Sequence, residues 1–165
     1  MNAFQVAAVL LGILAIQAGA QSAPVGQGPG YWIDPSTGLM WAGEDNGKDV
    51  SWNKAMGYCR DLRLAGYSDW RLANTVELQG IFDKTSNAPG RAGPGNGRSV
   101  TWHVKGNLFL TGNQWANSQR IDRGHFRSSA EWYFDFNEGR WDNQPSGFPY
   151  SSAFMRALCL RGSKK

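Results

Sequence analysis

Residues 67–80 read YSDWRLANTVELQG, and how this stretch is parsed decides the fold. A turn at Tyr67-Ser68-Asp69 runs into Trp70-Arg71-Leu72, and Asn74-Thr75-Val76-Glu77 then opens a helix. Asn74 is a good N-cap, because its side-chain oxygen accepts from the first-turn amides, and Glu77 is spaced to reach back to the cap's own amide. Leu78, Ile81 and Phe82 give this short helix an apolar face. A Trp and an Arg beside a helix N-terminus also make a natural place for an anion. A buried Trp and a capped helix already account for the block, so its residues are read first as scaffold. Asn74 and Glu77 cap the helix.

Working outward, SWNKAMGYCRDLRLAG at 51–66 places Trp52, Ala55, Met56, Cys59 and Leu62 at three- and four-residue spacing. This predicts an amphipathic helix that begins at Asp49 or Ser51 and stops at Gly66. Before it, 30–41 alternates about the turn Asp34-Pro35-Ser36-Thr37-Gly38, a β-hairpin pattern. After the second helix, NAPGRAGPGNGR at 87–98 lacks the strict glycine triplet of collagen and reads as a long loop, functional or disordered. Short strands are expected at 101–104, 108–110, 114–117, 131–137 and 155–161. The sequence EWYFDFN, then Glu138-Gly139, then Arg140-Trp141 is the clearest hairpin signal.

Residues 1–20 carry no charged side chain, and their apolar run from Phe4 to Ile16, too short for a comfortable membrane span, ends near Ala18-Gly19-Ala20. That is the pattern of a secretory signal peptide, implying a secreted or periplasmic protein without stable membrane insertion. An uncleaved anchor is the alternative, since no Lys or Arg precedes the run. A Gly/Pro-rich leader at 21–30, one domain at 31–162 and a basic tail at 163–165 complete the organisation.

The formal charge of +4 lies wholly after the first thirty residues. It fits acidic polysaccharides, nucleic acid or anionic surfaces, and more simply ordinary solubilising charge. Eight Trp, eight Phe and five Tyr among Gly-rich loops point to an irregular α+β or all-β domain that presents some rings and buries the others. The two cysteines, Cys59 and Cys159, are the number for one disulfide in an oxidising compartment. A reactive or metal-binding pair finds no nearby His or further Cys.

Nucleophile-elbow, phosphate-loop and zinc-ligand spacings are absent from the sequence. His103 and His125 stand far apart and read as a semi-buried and a surface residue, and no carboxylate pair rises above background. Basic residues crowd the last third. Arg120, Arg123, Arg127 and Arg140 beside Trp115 and Trp141 are the candidate ligand residues, the rings stacking on sugars and the guanidinium groups taking sulfate or carboxylate. Single-stranded nucleic acid would use the same chemistry, but an export signal argues against that partner.

These residues together resemble one family. DPSTGLMWA at 34–42, residues 45–78, WYFDFNEGR at 132–140 and RALCLRG at 156–162 are similar to the Lcl C-terminal domain family, named for a bacterial collagen-like adhesin. The family usually shows WRLPT; here Ala73 and Asn74 stand in place of Pro and Thr, and the resemblance implies a structural role for the block, with Trp70 and Leu72 in the core and Arg71 tying the turn to a nearby acid or carbonyl. The block also resembles an element of formylglycine-generating enzymes and other C-type-lectin-like domains. The resemblance implies an α+β, C-type-lectin-like fold, with two helices packed on a small, twisted, mostly antiparallel sheet and long irregular loops. The adhesin implies binding of glycans, sulfated or acidic polysaccharide among them, without catalysis. The enzyme would need a redox-active cysteine pair, whereas Cys59 and Cys159 sit where the lectin-like fold puts a structural bridge. Trp141-Asp142-Asn143 resembles the lectin calcium signature in altered order and without its Glu-Pro-Asn partner, so no calcium, other metal or cofactor is expected. The reading is an exported binding module for a glycan. An envelope protein-interaction domain without sugar affinity is the alternative, an enzyme is a third reading, and the oligomeric state is not implied.

Overall fold

A computed structural model describes residues 27–28, 30–92, 98–106, 108–121, 129–145 and 153–162 of the chain. The expected signal peptide, most of the leader, Arg123, Arg127 and the basic tail lie outside the described residues, as do the side chain of Arg120 and parts of the loops around it.

The described residues hold two helices, α1 (Trp52–Asp61) and α2 (Thr75–Gly80), and eleven strands. The strands are β1 (Gln27–Gly28), β2 (Tyr31–Ile33), β3 (Met40–Ala42), β4 (Arg71–Leu72), β5 (Ala88–Ala92) and β6 (Arg98–Trp102), followed by β7 (Asn113–Ile121), β8 (Ser129–Asp135), β9 (Arg140–Pro145), β10 (Met155–Arg156) and β11 (Cys159–Arg161). They form a five-stranded sheet in the order β1-β2-β3-β11-β4, a four-stranded sheet β10-β7-β8-β9 and a two-stranded ribbon β5-β6. All pairings are antiparallel except β10 with β7. The class is α+β, and three sheets replace the single small sheet expected.

Strand alternation divides the core in two. Trp41 and Leu160 face one cluster with Leu39, Leu78, Ile81, Trp102, Leu110, Phe134 and Phe136, while Met40, Ala42 and Cys159 face the other with Ala55, Cys59, Trp70, Leu72 and Trp115. The five-stranded sheet therefore has α1 on one side and α2 with the ribbon on the other. Cys59 on α1 and Cys159 on β11 are joined by a disulfide, and both residues are fully buried.

Around 67–80 the structure assembles the cap in full. Glu77 N donates to Asn74 Oδ1 at 3.0 Å, and Asn74 N donates to Glu77 Oε2 at 2.9 Å. Trp70 and Leu72 are buried. Asp34 builds the β2-β3 turn: its carboxylate accepts from Ser36 N at 2.9 Å, Ser36 Oγ at 2.7 Å and Thr37 Oγ1 at 2.7 Å. Burial alone would push the Asp34 carboxyl up, but these bonds outweigh it and hold it below the ordinary range.

Some elements differ from the sequence expectation. α1 ends at Asp61, not at Gly66, because Leu62 turns extended; Ala65 and Gly66 then lie in the left-handed region inside a tight turn closed by mutual Leu64–Tyr67 backbone bonds. Ser51 is the N-cap residue but makes no side-chain cap bond, and Asp49 is turned away to accept from Phe154 N at 3.1 Å and from Arg156 Nη1. Residues 88–92, expected in a loop, form a strand. Residues 108–110, expected as a strand, make two isolated parallel bridges, Glu44 with Phe109 and Gly90 with Leu110. The stretch 155–161 is split into β10 and β11.

Candidate functional site

The structure does not gather the arginines and tryptophans named from the sequence. Trp115 is corrected outright: its ring is buried beside Tyr133, and its Nε1 donates to Val50 O at 2.7 Å, so it cannot stack on a ligand. Arg140 and Trp141 are successive on β9 and so point to opposite faces of the sheet. Exposed Arg140 pairs with Glu138 at 2.8 Å. Trp141 packs 4.6 Å from the Phe134 ring centre, and its Nε1 donates to Gln79 Oε1 at 3.3 Å. Arg120 belongs to β7 opposite Ala130.

A groove lies instead on the β5-β6 ribbon. It encloses about 450 Å³ between Asn87, Pro89, Gly90, Arg91, Val100, Thr101 and Phe109. The register puts Pro89 opposite Thr101 and Arg91 opposite Ser99, so Asn87, Pro89, Arg91 and Thr101, all exposed, share the outer face. Gly90 lets this strand press inward: a Cβ there would sit 2.3 Å from Leu110 O and 2.3 Å from Trp102 Cδ1. Arg91 N donates to Leu110 O at 2.9 Å, which fixes the backbone that carries the guanidinium.

Phe109, from 108–110, is held in the groove by a strap at 43–46. Its N donates to Gly43 O at 2.8 Å, and Asp45 N donates to its carbonyl at 3.3 Å. Asp45 is buried and accepts from Thr111 N and Thr111 Oγ1, both at 2.7 Å, and from Gln114 Nε2 at 2.8 Å. The strap is thereby locked to the core.

Chemically the groove offers two apolar surfaces, Pro89 and the half-buried Phe109 ring, suited to the C–H face of a pyranose. Thr101 supplies a hydroxyl and Asn87 an amide, each a donor and an acceptor. No ion pair engages Arg91 among the described residues, so its fork of donors is free for an anion. The volume falls in the range of small-ligand clefts. Sequence reasoning passed over this site because it treated 87–98 as a loop; the alternation of Pro89 and Arg91 about Gly90 is the signal it held.

A polar row, buried at Glu131, runs along one face of β8 and β9, where Glu131 pairs with Gln144, Tyr133 with Asp142, and Asp135 with Arg140. Tyr133 Oη donates to Asp142 Oδ2 at 3.1 Å. Burial first, and then the charge and bond of Asp142, push the Tyr133 phenol up to about 12. Among the described residues no group of three His, Cys, Asp or Glu side chains is placed to hold a metal ion.

A disulfide-tied α+β domain with an aromatic and cationic surface groove is the class these features define. Residues 30–158 match the Lcl C-terminal domain, and the chain belongs to that family. Neither a curated protein nor a solved structure matches the chain.

Proposed function

We propose that this domain is an exported, non-enzymatic module that binds glycans, acidic or sulfated polysaccharide among them, in adhesion or envelope interaction. The observation that carries the reading is the groove, in which the unpaired Arg91 stands with Phe109, Pro89, Thr101 and Asn87 around one cleft of sugar size. Aromatic, amide and guanidinium groups together recognise an anionic pyranose without a nucleophile or a general acid. The buried Cys59–Cys159 disulfide supports a binding role over the dithiol chemistry of the formylglycine-generating class. A C-type-lectin-like arrangement is part of the proposal. It is supported by β2 and β11, from opposite ends of the domain, joining one sheet, and by the bridge from α1 to the last strand.

The test is retention of the mature domain on immobilised acidic polysaccharides at low salt, for the wild type and for Arg91→Ala and Phe109→Ala. Both substitutions should weaken retention by about ten-fold with folding intact, as expected for the loss of one charge-assisted or aromatic contact. Wild-type protein that elutes in the void volume at low salt, or Arg91→Ala that is retained like the wild type, would remove the groove from the reading.

A further inference from the structure

We infer that Asn46–Gly47 is a modification site, a deamidation switch that the native fold holds closed. The dipeptide sits at the tip of the strap, with Asn46 half-buried, and Gly47 and Lys48 exposed to water. Glycine after asparagine leaves the following amide nitrogen unhindered by any Cβ. In the reaction the Gly47 nitrogen, giving up its proton to solvent, bonds to Asn46 Cγ while the Cγ–Nδ2 bond breaks and the side-chain nitrogen leaves as ammonia. Water then opens the succinimide ring at one carbonyl or the other, leaving aspartate or isoaspartate. Water is the only co-reactant, and nothing is oxidised or reduced.

Every reacting group is engaged elsewhere in the folded chain. Gly47 N donates to Asp45 Oδ1 at 2.9 Å. Asn46 Nδ2 donates to Lys48 O at 2.7 Å, and Asn46 Oδ1 accepts from Ala157 N at 2.8 Å. Gly47 is further fixed at φ +68°. Ring closure needs the nitrogen and the carboxamide released together, so it proceeds only through local opening of this turn.

The product cannot rebuild the turn. Aspartate has no N–H to give Lys48 O and sets a carboxylate against that carbonyl, and isoaspartate lengthens the backbone by a methylene. Asn46 N also donates to Ala157 O at 3.2 Å, and neighbouring Asp45 carries the bonds to Thr111, Gln114 and Phe109. Conversion at Asn46 therefore loosens the strap from β7, from the segment before β11 and from the groove.

The full-length oxidised protein is incubated at mildly alkaline pH in native buffer and, in parallel, in denaturant with the disulfide reduced. Conversion at Asn46 is read by peptide mass spectrometry. The native rate should be slower by at least about ten-fold, the signature of a reaction gated by opening; equal rates overturn the proposal. Asn46→Asp, made directly, should melt about 4 °C below the wild type, the shift of a lost hydrogen bond in a domain of this size. An unchanged melting temperature overturns the switch even if protection is seen. Neither readout involves a glycan, so failure of the binding proposal leaves this one standing.

Discussion

Arg71 holds Glu77 by two bonds, Nη1 to Oε2 at 2.8 Å and Nη2 to Oε1 at 2.6 Å, and the same Nη2 also donates to Gly162 O at 3.3 Å. Because Glu77 is buried and also caps α2, one arginine couples the helix start to the end of the last strand. Arg71→Ala leaves a buried carboxylate without its main partner and should cost about 2–3 kcal/mol, discounted from a fully buried pair because Arg71 is partly exposed. Arg71→Lys should recover only part of this, since an ammonium cannot match the two-pronged geometry. Urea unfolding of the oxidised protein measures both. An Arg71→Ala variant as stable as the wild type would contradict the assignment.

Gly90 gives a prediction on the ribbon. Backbone and ring atoms lie 2.3 Å from the position of a Cβ, and neither Leu110 O nor the buried Trp102 ring can swing aside. Gly90→Ala should therefore lower stability by about 1–3 kcal/mol, the usual cost of overpacking. It should also displace β5, so that retention on acidic polysaccharide falls with melting temperature; a variant that melts like the wild type would show that the contact is slack.

Tyr133 predicts an alkaline branch of the stability curve. Its phenol titrates at 10.0 when free and at about 12 when folded, because burial and Asp142 favour the neutral form. The neutral form is the protonated one, so this contribution is complete below pH 10 and is lost as pH rises toward 12. Phenolate absorbance should show a tyrosine ionising near 12 that is lost in Tyr133→Phe, and Asp142→Asn should bring that titration down. A Tyr133→Phe variant whose titration curve loses a group ionising near the free value instead would refute the assignment.

The disulfide closes a sequence separation of 100 residues. Replacing Cys59 and Cys159 by Ala should cost about 2–4 kcal/mol through the freer unfolded chain. Because both cysteines are fully buried, reductant should act on native protein only as fast as it opens. Thiol alkylation under native conditions reads this directly, and rapid labelling of the native protein would argue against a buried structural bridge.

The sequence was most legible where chemistry is local. Asn74 and Glu77 are three residues apart and their roles follow from helix geometry, and the turn at Asp34 follows from its own neighbours. Trp115 shows where composition misleads: an indole suits a core and a ligand equally, and only its place inside the sheet decides. The strand at 88–92 was hidden because Ala-Pro-Gly-Arg-Ala has poor β propensity and is held by Arg98–Trp102 and Leu110. The groove was out of reach for the same reason, since Arg91 and Phe109 meet only in the folded chain, where Arg91 N bonds to Leu110 O and the strap at 43–46 holds Phe109. Arg140 and Trp141 were adjacent in sequence, and that adjacency is what separates them in space.

β11 lies between β3 and β4, so an interior strand of the five-stranded sheet comes from the far end of the domain in sequence. Until residues 159–161 are available, β3 and β4 have no neighbour to join them, Cys59 has no partner, and Leu160 is missing from the larger core cluster. Folding of this domain must therefore wait for its final strand, and contacts of such long sequence separation make closure slow.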